Sequence, residues 1–131
     1  TLPMETLFAE SNENSLNTLP FSHAFRRLQP TLWQRPLEAA KQTFSLYREM
    51  LEQVGIGEVI REGEPRQSAP YNLLLRRNWM LLVPRRREHF DTISINALGF
   101  AGSLFVRDEQ ELNLVNDTGP MQILAKVSGL P

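Results

Sequence analysis

Between Pro36 and Val54 the apolar residues fall at Leu37, Ala40, Phe44, Tyr47, Leu51 and Val54. Those spacings of 3, 4, 3, 4 and 3 lay one stripe along one face of a helix. Pro36 suits the first turn, where its missing N–H costs nothing, and Gly55 suits the position just past the end. Glu38 near the start complements the helix dipole, and Lys41, Arg48, Glu49 and Glu52 fall largely off the stripe. The stripe is expected to pack on a sheet; a coiled-coil partner helix is the competing reading of the same spacing.

The pattern then changes period. Residues 55–69, GIGEVIREGEPRQSA, carry three glycines and Pro65 and read as a loop with a short strand at Glu58–Arg61. Tyr71–Arg76 and Trp79–Val83 are rich in aromatic and aliphatic residues and predict a hairpin turning at Arg77-Asn78, where Asn tolerates positive φ. Their near-continuous apolar character predicts strands buried on both faces rather than a solvated edge. Another strand is expected at Thr92–Asn96, then a turn in which Gly99 and Gly102 frame Phe100. Asp108 precedes Glu111 by three residues, as in a capping box, with Leu112 and Val115 behind it. Thr118 and Pro120 open a last short helix to about Val127, ended by Ser128-Gly129.

Before the long helix the pattern is weaker. LPFSHAFRRLQP, between Pro20 and Pro30, predicts a short extended segment or a single turn, and residues 1–18 join an apolar patch (Leu2, Met4, Leu7, Phe8) to a polar SNENS tract, as in a tether docked at one end. The expected organisation is residues 1–34 as an N-terminal tether or extended segment and residues 35–131 as one domain. The fold class is α+β, an antiparallel β-sheet flanked by helices.

Composition narrows the function. With 131 residues and 41% hydrophobic, the chain can bury roughly two-thirds of its unfolded surface in one core. Fourteen bases against fifteen acids argue against nucleic-acid binding, which needs a broad basic face. The absence of cysteine excludes disulfides and thiolate chemistry. No apolar run approaches the ~18–20 residues of a membrane span, and no signal peptide is visible, so a cytoplasmic protein fits best. Thr1 in place of an initiator Met suggests a processed or truncated product.

Against that balance, PYNLLLRRNWMLLVPRRREHF concentrates charge: Arg76 and Arg77 at one end of the hairpin, Arg85, Arg86 and Arg87 after Pro84 at the other. Guanidinium forks match phosphate oxygens, which suits an anion site; spacing alone favours a solvated strand end, part-neutralised by Glu88 and Asp91. Strand alternation would aim Arg85 and Arg87 the same way. The two histidines, His23 and His89, lack metal-ligand spacing, and His89 beside Asp91 reads as a loop histidine more readily than as a general base. There is no G-x-S-x-G elbow and no P-loop, so neither a metal site, a cofactor site nor a complete catalytic constellation is expected.

Three ordered blocks, PYNLLLRRNWMLLVPRRRE, ISINALGFAGSLFV and GPMQILAKVSGLP, closely resemble the C-terminal domain of the ATP adenylyltransferase family, also called diadenosine tetraphosphate phosphorylases. The resemblance is strong over residues 66–131, and LPFSHAFRRL and the helix from Pro36 fit it in the right order. It implies a fold similar to part of the histidine-triad superfamily. The activity it implies is phosphorolysis of a dinucleoside tetraphosphate to ATP and ADP through a nucleotidyl-histidine intermediate, so that dinucleoside polyphosphate, ATP, ADP and inorganic phosphate become the expected partners. The family's nucleophile lies in an H-x-H-x-Q motif that these residues lack. The resemblance therefore implies a chain inactive alone, partnered with the N-terminal half of the same enzyme, and supplying nucleotide or phosphate contacts from Asn72, Arg76, Arg85 and Arg87. Position 76 is often threonine in the family, a departure at that contact. The alternative is a non-enzymatic association module that dimerises through the helix and hairpin, exposing Trp33, Trp79 or the helix stripe.

Overall fold

The computed structural model describes residues 4–8, 15–16 and 18–131; Leu2 and most of the SNENS tract lie outside them. Its centre is a three-stranded antiparallel sheet in the order β1-β5-β4, where β1 is Ala24–Arg27, β4 is Tyr71–Arg76 and β5 is Trp79–Pro84. The segment expected to be extended or turned is thus a strand, with Ala24 opposite Leu82 and Arg27 opposite Trp79.

β5 is buried at every position because it is the middle strand with a layer on each face. Trp79, Leu81 and Val83, with Phe25 of β1, join one core with Phe8 of the short helix α1 (Glu5–Phe8), Phe21, Phe100, Ile123 and Val127. Met80 and Leu82, with Ala24, join the other under the helix α2, Pro36–Gln53, which supplies Met50 and Leu51. Trp79, expected to be exposed in an association module, is only 2% accessible. β4 corrects the expectation of a fully buried hairpin: it is an edge strand on which Leu73 and Leu75 are exposed. Apolar composition alone does not tell a central strand from an edge.

The stripe on α2 is also corrected. Its inner face is Ala39, Met50, Leu51 and Val54, with Leu46 and Tyr47 half-buried, while Leu37 and Phe44 are 68% and 59% accessible. Ala39, Thr43, Leu46 and Met50 share the 4-3-4 spacing, so two faces compete on periodicity. Near its start the helix packs on the 3₁₀ turn Pro30–Gln34, where Ala39 is the only fully buried helix residue before Met50. The end is a Schellman cap: Ile56 N–H donates to Leu51 O at 2.9 Å and Gly55 N–H to Glu52 O at 3.1 Å, with Gly55 at φ +83°. Ile56 and Leu51 pack in the same core and complete the motif.

Two turns depart from expectation. The loop after α2 is a hairpin of β2 (Glu58–Arg61) and β3 (Glu64–Gln67), closed by Glu62 and Gly63 at φ +54° and +78°. β3 is exposed throughout, so no hydrophobic alternation announces it. In the β4–β5 hairpin, Asn78 is not at positive φ; the turn is held instead by Leu28 N–H on Asn78 O and the Trp33 indole on Arg77 O, at 2.9 and 2.6 Å.

The strand expected at Thr92–Asn96 is shorter, β7 Ile93–Ser94, and pairs with β6, His89–Phe90. α3 (Glu109–Thr118) begins at the expected cap, Asp108 Oδ1 accepting from Glu111 N–H at 2.8 Å, and Gly119 leads into α4, Pro120–Val127. The Glu111 carboxylate, nearly buried, accepts from Arg107 N–H and Thr92 Oγ1–H, both at 2.9 Å, pinning the β6–β7 turn to α3.

Candidate functional site

The triple arginine is placed by its backbone. Arg85 N–H donates to Pro70 O at 2.9 Å, while the N–H groups of Arg86 and Arg87 both donate to Val127 O, at 2.8 and 3.2 Å. Gly129 N–H in turn donates to Pro84 O at 2.9 Å. The run is therefore held between the start of β4 and the end of α4. Beside it opens a cleft of about 540 Å³ lined by Pro70, Tyr71 and Asn72, by Arg85 to Glu88, and by Ser94, Ile95 and Asn96.

Arg85 is turned inward and only 7% accessible. Its guanidinium donates to the side-chain oxygen of Asn72, to Arg87 O at 2.7 Å, to Ile95 O at 2.9 Å and to Glu88 O at 3.3 Å, and lies 5.3 Å over the Phe100 ring. A buried charge needs such a ring of acceptors, and burial still presses its pKa down, opposed by the Glu88 carboxylate. Nε has no partner among the described residues. Because guanidinium cannot accept, the bond fixes the Asn72 amide with its oxygen toward Arg85 and its NH₂ left as a donor.

Arg86 is exposed and bends over residues 129–130, Nε donating to Leu130 O at 3.3 Å. Arg87 is exposed, lines the cleft, and has no side-chain hydrogen bond or ion pair among the described residues. The alternation argument therefore does not describe the run: the strand ends at Pro84, after which Arg85 is buried and Arg87 open.

Asn72, Arg85 and Arg87 thus meet at one cleft, and Arg76 does not. Four residues further along β4, roughly 13 Å away, Arg76 pairs through Nε with Glu5 at 3.4 Å. The same Glu5 carboxylate accepts from the Trp79 indole at 3.0 Å. His89 is exposed on β6, and His23 is engaged at both nitrogens, Nε2 accepting from Leu16 N–H and Nδ1–H donating to Phe21 O, each at 2.8 Å. Neither lines the cleft.

Sequence reasoning missed Ser94, Asn96 and the Phe100 ring. The alternation Ser94-Ile95-Asn96, with Ile95 buried, was the available signal for the two polar residues. The tyrosine pair was missed as well: Tyr71 and Tyr47 share a hydroxyl–hydroxyl bond, and the Tyr71 phenol is pushed up to about 12, chiefly by burial and then by Tyr47.

Among the described residues no helix is long and apolar enough to cross a membrane. No curated protein sequence matches the chain. Among solved structures, yeast Ap4A phosphorylase Apa2 superposes with a TM-score of 0.63 at 20% identity, covering 98% of this chain and 46% of that one. The same yeast enzyme in complex with AMP gives 0.59 at 15% identity, covering 100% and 47%. At such identities the likeness is one of fold, and the chain spans about half the length of these proteins. The family model of the ATP adenylyltransferase C-terminal domain matches residues 17–129, nearly the whole sequence, and the chain belongs to that family.

Proposed function

We propose that the cleft is the phosphate-contacting wall of a nucleotidyltransferase that phosphorolyses dinucleoside tetraphosphate to ATP and ADP. The observation that carries this reading is the division of labour among three residues. Arg87 offers a guanidinium unpaired among the described residues, Asn72 offers an amide NH₂, and Arg85 holds both in place, through the Asn72 side chain and the Arg87 carbonyl. Polyphosphate oxygens are acceptors only, so the Arg87 fork and the Asn72 amide suit them, against one carboxylate, Glu88, in the same lining. Positive charge there offsets the charge on a transferring phosphoryl group. Arg76, at the far end of β4, is outside this set.

Neither histidine lies at the cleft, which supports a nucleophile supplied by an N-terminal half of the enzyme; a cysteine-free chain suits the cytoplasm. Calorimetric titration with inorganic tripolyphosphate tests the reading. Saturable binding that Arg87→Ala weakens about tenfold or more is expected, and no binding overturns it. Phosphorolysis by this chain alone in a coupled assay would overturn the assignment of the nucleophile elsewhere.

A second reading rests on exposed Leu37 and Phe44 on α2 and exposed Leu73 and Leu75 on the edge strand β4, which suit an association module. Self-association by light scattering together with no anion binding would favour it.

A further inference from the structure

The cleft continues into a feature that the phosphate reading leaves unused. Tyr71 lines the cleft and also ends a ladder of rings. Its centroid is 6.1 Å from Tyr47 at an interplanar angle of 47°, and Tyr47 is 6.2 Å from Phe44 at 41°. Rings tilted in this way do not cover each other face to face. Phe44, more than half accessible on a helix whose inner face is buried elsewhere, carries the Arg48 guanidinium 6.0 Å over its ring. A ring, a neighbouring ring and a cation close by are the parts from which proteins build stacking platforms.

We infer that Tyr71, backed by Tyr47 and beyond it Phe44, is a stacking platform for the nucleobase of the ligand whose phosphates occupy the cleft. Tyr71 and Asn72 are consecutive on an edge strand, so their side chains point to opposite faces with only the open edge between them. A nucleotide held by its phosphates at Asn72 and Arg87 reaches Tyr71 by crossing that edge. The hydroxyl bond to Tyr47 holds the Tyr71 ring in position, and the phenol stays neutral at physiological pH, so it sets no charge against a polyphosphate. The inference rests on the phosphate reading for the ligand's orientation. The platform itself does not, because a nucleobase stacks without its phosphates.

The test titrates the chain with tripolyphosphate, ATP and adenosine, by calorimetry and by NMR of the aromatic resonances. ATP is expected to bind about tenfold more tightly than tripolyphosphate, and adenosine alone to shift the Tyr71 and Phe44 ring signals. Tyr71→Leu, which keeps an apolar side chain on the strand, and Phe44→Ala, on the surface, are each expected to weaken ATP while leaving tripolyphosphate unchanged. ATP binding no tighter than tripolyphosphate, or an ATP advantage that survives Tyr71→Leu, overturns the platform. If tripolyphosphate fails to bind but adenosine shifts the ring signals in a Tyr71-dependent way, the phosphate reading falls and the platform stands.

Discussion

Arg85 donates a hydrogen bond to the side-chain oxygen of Asn72, joining the end of β5 to the start of β4 on the wall of the cleft. The same guanidinium reaches the carbonyls of Arg87, Glu88 and Ile95, so one buried side chain gathers both arms of the β6–β7 hairpin onto the sheet. Both terminal nitrogens already have partners and Nε has none among the described residues, so the side chain ties the cleft's wall together.

Arg85→Ala should therefore lower stability by about 3 kcal/mol, because it leaves several buried acceptors without a donor. Arg85→Lys keeps the charge without the fork and should recover less than half of the loss. Urea denaturation of both variants measures this, and a change below ~0.5 kcal/mol for the alanine variant would show that water replaces the network.

The rotated face of α2 makes a paired prediction. Met50→Ala removes a fully buried side chain from the core beneath the sheet and should cost about 2–5 kcal/mol. Leu37→Ala removes a largely exposed one and should stay within about 0.5 kcal/mol. Equal losses in chemical denaturation would restore the stripe read from spacing.

His23 makes stability depend on pH near neutrality. Burial lowers its pKa below the ordinary 6.5, against the opposing pull of the Phe21 carbonyl. Protonation would also set a second N–H against the Leu16 N–H that Nε2 now accepts. The unfolded chain then binds more protons, so the contribution is complete above about 6.5 and declines as pH falls below it. His23→Gln should flatten that part of the curve, and identical slopes in the two proteins between pH 5 and 7 would contradict the assignment.

Glu111 acts in a separate, more acidic window. The Arg107 guanidinium, then the Arg107 backbone N–H, with the Thr92 hydroxyl adding to them, hold its carboxyl down at about 2. Its contribution is present above the ordinary value of 4.5 and disappears as pH falls toward 2. Glu111→Gln should remove this acid-limb slope while leaving the His23 window unchanged; a melting series from pH 2 to 5 reads it directly.

What the sequence disclosed follows from what one-dimensional patterns encode. Helix ends were legible at Pro36, Gly55 and Asp108, because caps are local chemistry. The β4–β5 hairpin was legible in its two apolar runs, but which strand would be central was not, since β1 arrives from a segment some fifty residues earlier. β3 was hidden because its stability comes from backbone pairing and a two-residue turn, with no buried side chain to mark it. At the cleft, the arginines were visible as a charge run and their separate fates were not. Arg85 turns inward because Phe100 and Ile95, from the next block of sequence, build a pocket there.

The Val127 carbonyl has a practical consequence. It receives the N–H groups of both Arg86 and Arg87, while Gly129 and Leu130 are tied to Pro84 and Arg86. Residues 127–130 are therefore part of the cleft's foundation. A substitution within them, above all at Gly129, whose φ is +104°, would perturb the arginines without altering a single base in their codons.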